Sequence, residues 1–218
     1  MKLISKKFLL SVALVASVIM LDTGCKKDAA DTVAFAPLTT GTNWTYKYTE
    51  GNLPSQTLKL TVTGRDTVAN GKTYKVISSS DGSANTYMGK SGNDYYRFAA
   101  ITGIGVQNFE ELYLKDNENV NGTWSSSTNV LINGTTIPAQ LLYTVKGKGE
   151  SRTVNQVLFK NVTHIRLDIS AVFVGTVGGG DFYYQEGVGM IESNIAATNP
   201  LTQQTYTSTQ QLVSYEIK

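Results

Sequence analysis

The chain of 218 residues has a single cysteine and a single histidine. One Cys excludes a disulfide framework and a Cys-based zinc site. One His, His164, leaves a serine or cysteine nucleophile with a single imidazole to draw on. Charge is scarce as well: 19 Lys plus Arg stand against 17 Asp plus Glu, and charged residues make up only 17% of the sequence. That balance gives no basic field for nucleic acid, and no nucleic-acid partner is expected. What is present is apolar and aromatic: 41% hydrophobic and 10% aromatic residues suffice for a packed core.

Lys2, Lys6 and Lys7 precede an uncharged apolar run from Phe8 to Leu21. That run is shorter than the ~20 residues of a membrane-crossing helix and fits the roughly 7–15 of a secretory h-region. Leu21-Asp22-Thr23-Gly24-Cys25 follows. There the chain resembles a bacterial lipoprotein precursor, and the charged stretch Lys26-Lys27-Asp28-Ala29-Ala30-Asp31 resembles the segment after the lipid-bearing Cys in lipoproteins of Bacteroidetes-type bacteria. The resemblance implies that residues 1–24 are a signal peptide, that Cys25 is acylated, and that the protein sits on the outer membrane, periplasmic or surface-exposed. Residues 25–36 are then expected to be a flexible tether reaching at most ~35 Å. Removing residues 1–24 takes three Lys and one Asp, leaving 16 basic against 16 acidic residues.

The remainder, 37–218, reads as one β domain with an internal duplication, about 41–110 and 122–195, and a C-terminal strand after it. Gly41-Thr42-Asn43-Trp44-Thr45 is echoed by Gly122-Thr123-Trp124-Ser125. Thr61-Val62-Thr63-Gly64 is echoed by Thr144-Val145-Lys146-Gly147, and the stretch from Thr67 to Lys75 by that from Thr153 to Lys160. Asp94-Tyr95-Tyr96 answers to Asp181-Phe182-Tyr183, and Gly103-Ile104-Gly105 to Gly187-Val188-Gly189.

Period-two alternation runs through Trp44, Tyr46 and Tyr48, through Leu58, Leu60 and Val62, and through Ile165, Leu167, Ile169, Ala171 and Phe173. Asn70-Gly71, Asp81-Gly82 and Asn133-Gly134 are hairpin signals. Phe109 to Lys115 is the one short helix candidate. The expected fold is all-β: ten to thirteen antiparallel strands in a barrel, half-barrel or sandwich built from two similar units of ~80 residues. The Gly41-Thr-Asn-Trp-Thr-Tyr46 opening, the hairpin Val68 to Tyr74 and the late stretch Tyr184 to Ile191 again resemble uncharacterised Bacteroidetes-type lipoproteins. That resemblance implies secretion and a β fold, without an activity.

Few residues point to catalysis. Asp168, on the same strand face as His164 but ~13 Å along it, is too far to orient the ring. Asp94 and Asp181 are the candidate carboxylate pair of a hydrolase acting on surface polysaccharide, or else caps of turns. The run from Asn117 to Gly122 has oxygen ligands but not the pattern of a calcium loop, and no metal or cofactor is expected. Trp44, Trp124, Tyr95, Tyr96, Tyr183 and Tyr184 are the candidate binding residues for an apolar or glycan ligand, because Trp and Tyr join broad contact area to a polar edge. Consecutive side chains point to opposite faces, so one member of each adjacent Tyr pair should face outward or into a cavity. A membrane-anchored, non-enzymatic binding module for such a ligand or a partner protein is the first expectation, the polysaccharide hydrolase the second, and a structural subunit the third.

Overall fold

A computed structural model describes residues 34–101, 106–132 and 134–218. Cys25, the leader, Gly103 and Gly105 lie outside the described residues. Twelve strands follow one another: β1 (Asn43–Glu50), β2 (Gln56–Ala69), β3 (Lys72–Ser79), β4 (Thr86–Ser91), β5 (Asp94–Ile101), β6 (Val106–Lys115), β7 (Thr123–Ile132), β8 (Thr135–Val154), β9 (Val157–Ala171), β10 (Gly175–Gln185), β11 (Gly189–Thr198) and β12 (Thr205–Glu216). They form one antiparallel sheet in the order β6-β5-β4-β3-β2-β1-β12-β11-β10-β9-β8-β7. Each half is a six-stranded meander, the halves join through β1 and β12, and the sheet curls into a nearly closed barrel. At the seam between β6 and β7 the Trp124 indole donates to the Leu112 carbonyl at 2.8 Å.

Alternation explains the wall. In β9, Ile165, Leu167, Ile169 and Ala171 are all buried, while His164, Arg166, Asp168 and Ser170 face out. Fully burying each large aliphatic contributes roughly 1.5–3 kcal/mol. Phe173 departs from that reading: it lies beyond the strand, in the β9–β10 turn, with φ 64° and a fully exposed ring. The stretch Phe109 to Lys115 is not a helix but the end of β6. There Glu111 pairs with Arg97 and Leu114 with Tyr95 of β5, and cross-strand partners override a short local pattern.

The two halves begin alike. Asn43 pairs with Thr61 and Thr123 with Thr144, so each tryptophan is the second residue of a meander's first strand. Gly41 and Asn121, both at positive φ, donate to the Val62 and Val145 carbonyls at 2.9 and 2.8 Å. The Val62 and Val145 amides return bonds to Thr42 and Gly122 at 2.9 and 3.0 Å. Just past Val62 and Val145 the registers shift, and both hairpins bend. Each closes with a two-residue turn at positive φ, Asn70-Gly71 and Asn155-Gln156. Both tips fold onto later strands of their own half. Asn70 and Lys72 hold Glu110 of β6, with Tyr74 against Phe98 at 5.2 Å. Asn155 donates to the Leu212 carbonyl of β12 at 2.8 Å, and Phe159 clusters with Ile191 and Leu212. Further along, the halves diverge: Asp94 opens the fifth strand of the first half, whereas Asp181 lies within the fourth strand of the second.

The packed body starts earlier than the sequence suggests. Ala34, Phe35 and Ala36, read from sequence as tether, are buried. The Gly187 amide donates to the Ala34 carbonyl at 3.0 Å, and the Phe35 amide to the Tyr95 hydroxyl at 3.2 Å. This short segment closes the end of the barrel at which β1 begins, because a buried aromatic there outweighs the entropy of a free chain.

Candidate functional site

Inside the barrel lies a cavity of about 220 Å³. Its floor is Phe35, Ala36, Trp44 and Gly189, its wall includes Tyr46, Leu58, Leu60, Met88 and Met190, and Ser79, exposed Ser83 and Thr86 mark its mouth at the opposite end. Gly189 is required at the floor: its φ of 106° disfavours any side chain, and a Cβ there would stand 3.4 Å from the Trp44 indole nitrogen. The Trp44 indole is fixed by a 2.6 Å bond to the Val188 carbonyl, and the Tyr46 hydroxyl by a 2.9 Å bond to the Met190 carbonyl. At the mouth, Asp81 accepts bonds from the Ser79 hydroxyl and the Ser83 amide at 2.6 and 2.9 Å, which hold its carboxyl down to about 2.

A charged cluster stands inside the apolar wall. Arg97 of β5 also lines the cavity, and its Nε and Nη2 donate to Glu111 of β6 at 2.6 and 3.3 Å. The Tyr143 hydroxyl of β8 gives Glu111 a third bond at 2.6 Å. Burial opposes charge on Arg97, but the adjacent Glu111 carboxylate outweighs it and holds the guanidinium protonated above its usual range. The cation lies over the Tyr113 ring at 5.1 Å and the Phe182 ring at 5.5 Å. Tyr113 and Tyr184, whose ring centroids are 5.7 Å apart, line the cavity together with Gln210 of β12, and burial pushes both phenols well above the usual tyrosine range. Both therefore keep their protons. Neither hydroxyl has a hydrogen-bond partner among the described residues. A buried polar group left so costs about 1–3 kcal/mol.

The six aromatics expected at a binding site divide. Trp44 and Tyr184 line the cavity. Tyr95 is fully buried beneath it, edge-on to Phe35 at 6.3 Å. Trp124 stacks on Tyr143 at 5.3 Å beside the seam and does not reach the lining. In each Tyr pair one member faces inward, Tyr95 and Tyr184, and its neighbour faces out. Tyr96 lies under the Lys72 ammonium at 4.3 Å, and Tyr183 is held between His164, stacked at 4.4 Å, and the Arg152 guanidinium. Arg97, Glu111, Tyr113, Tyr143, Met88 and Met190 were not singled out from the sequence. The available signal was a charged residue on each inward-facing register, Arg97 two after Tyr95 and Glu111 two before Tyr113.

The candidate chemistry falls elsewhere. Asp94 and Asp181 are not brought together: β4, β3, β2, β1, β12 and β11 lie between their strands. Asp181 is no turn cap either. From the middle of β10 it accepts from Arg166 at 2.9 Å and meets His164 Nε2 at 2.7 Å, a cross-strand partner invisible to spacing within β9. No carboxylate lines the cavity among the described residues. In the loop before β7 the Asp116 and Glu118 carbonyls are bound by the Lys148 ammonium, each at 2.7 Å, so a lysine occupies the place of a cation.

No protein-family model and no curated protein matches the sequence. Two solved structures share the fold. One is a lipoprotein candidate from Parabacteroides distasonis, with TM-score 0.50 and 13% identity, the match covering 84% of this chain and 99% of that one. The other is an exported-protein candidate with a YmcC-like fold from Bacteroides fragilis, with TM-score 0.50, 11% identity and the same coverages.

Proposed function

We propose that the protein is a lipid-anchored envelope protein, held by acyl chains on Cys25, whose barrel is a non-enzymatic binding module for a small, largely apolar ligand. The cavity between Phe35, Trp44, Leu58, Leu60 and Met88 carries this reading. Its wall is mostly aliphatic and aromatic, which suits a hydrocarbon body better than a sugar ring rich in hydroxyls. At about 220 Å³ it lies below the ~300 Å³ of a drug-sized pocket, so it takes a short molecule or the end of a longer one. The lipobox-like leader supports the envelope location, and the lipoprotein and exported-protein descriptions of the two neighbours agree with it. In the same reading the domain is built from two copies of one β unit.

The test is a titration of the mature protein with N-phenyl-1-naphthylamine, an uncharged probe that brightens in apolar surroundings. Wild type should enhance its fluorescence saturably, and Met88→Trp, which fills the cavity, should weaken binding at least tenfold while its far-UV spectrum and melting temperature hold. Equal binding by the variant would sink the interior site.

A further inference from the structure

Antiparallel alternation puts the β1–β2, β3–β4, β5–β6, β7–β8, β9–β10 and β11–β12 loops at one end of the barrel, the end where Ser83 marks the cavity mouth. Between their strands these loops carry one charged residue in all, Asp81, and no Lys or Arg. Three of them, consecutive around the sheet, each raise a large apolar side chain: Leu53 is 60% exposed, Leu201 66% and Phe173 fully. None of the three has a charged residue within two positions of it. Exposed apolar side chains at the other end are set differently: Val68, Val120 and Leu158 each stand two residues from a charge, at Asp66, Glu118 and Lys160 respectively.

The backbone holds these tips out. The Leu53 amide donates to the Glu50 carbonyl at 2.9 Å, and the Leu201 amide to the Asn199 side chain at 3.0 Å. Phe173 stands at φ 64° between Val172 and Val174, in a turn closed by a 3.1 Å bond from the Val174 amide to the Ala171 carbonyl. A bulky residue is rarely found in that left-handed region, and here the strain places its ring in the open instead of in a core.

Spacing decides what the tips can meet. Neighbouring hairpins lie two strands apart, ~10 Å. The three side chains therefore form no continuous patch and cannot build the close-packed core of a protein interface. A fluid hydrocarbon boundary takes each of them separately. Without a cation on the loops, the surface they fit is zwitterionic and not anionic lipid. We propose that the mouth end of the barrel docks on a bilayer surface, with Leu53, Phe173 and Leu201 inserted below the headgroups and the apolar cavity opening toward the lipid. The contact is weak and reversible and does not replace an acyl anchor. It stands on the loops, whichever bilayer carries the acyl chains and whether or not the cavity holds a ligand.

The test uses the mature protein carrying Cys25→Ala, so that no acyl chain contributes, and sucrose-loaded vesicles of phosphatidylcholine alone. The protein should sediment with vesicles in excess lipid, with the same partition coefficient in low and high salt and after phosphatidylglycerol is mixed in. Phe173→Ser should lower that coefficient about five- to tenfold, and Leu53→Ser/Phe173→Ser/Leu201→Ser roughly thirtyfold or more, with the melting temperature held because all three side chains are exposed. Partition that needs phosphatidylglycerol and vanishes in high salt would make the contact electrostatic and overturn the proposal. Equal partition by the triple variant would place the contact elsewhere and overturn it too. So would an absence of partition, or a dimer in analytical ultracentrifugation that the triple variant dissolves. Each of these results leaves the reading of the interior cavity untouched.

Discussion

At the scale of single residues, the cavity depends on polar groups that an apolar wall must hold without water. Glu111 accepts from Arg97 and Tyr143, and removing it leaves a guanidinium buried without its counter-charge. Glu111→Ala should therefore cost about 3–5 kcal/mol of folding free energy by urea denaturation. The double variant Arg97→Met/Glu111→Leu, which removes both charges and keeps volume, should cost far less. A double variant as damaged as the single one would mean that the pair holds the fold by more than mutual neutralisation. The sequence displays the aromatics at this level but hides their partners. Tyr184 and Trp44 are visible as inward positions of alternating strands, whereas the pairing of Arg97 with Glu111 exists only through the β5–β6 register. The same holds outside the barrel, where His164 finds Asp181 on a neighbouring strand rather than Asp168 on its own.

At the scale of elements, turn chemistry separates what was legible from what was not. Asn70-Gly71 announces its hairpin, because Asn and Gly accept the positive φ that a two-residue turn needs. Asn155-Gln156 forms the same turn with φ 46° and 67° but without a glycine, so the sequence gives no such notice. A non-Gly residue in that conformation is strained by roughly 1 kcal/mol. Gln156→Gly should raise stability by about 0.5–1 kcal/mol in thermal denaturation, and a loss would show that Gln156 contributes a contact of its own. The correspondence of the first three strands of each half, from Trp44 and Trp124 to Tyr74 and Phe159, is what makes a duplicated unit worth proposing. The later strands hide it, because Asp94 and Asp181 match in sequence yet fall on the fifth and fourth strands of their halves. The one short helix candidate gives way for a related reason: Phe109 to Lys115 is too short to show a period, and pairing with β5 makes it strand, as the all-β expectation requires.

At the scale of the whole molecule, the described chain enters the barrel at Ala34, and Phe35 forms the floor of the cavity whose mouth lies at Ser83. Cys25→Ala should abolish incorporation of a fatty-acid probe and move the protein from the membrane to the soluble fraction, with ligand binding by the purified protein unchanged; persistent labelling would contradict the anchor. The all-β class was open to sequence reading because alternation is local. The closure of twelve strands into a barrel was not, since it depends on β1 meeting β12 across almost the whole described chain.

The most direct measurement is native mass spectrometry of the mature protein, purified without denaturation from its own membranes, beside Met88→Trp prepared the same way. The account predicts a bound small molecule on the wild type, removable by organic extraction, and its loss from the variant. A wild type of bare polypeptide-plus-lipid mass, or an adduct equally present on the variant, would contradict a ligand-binding barrel.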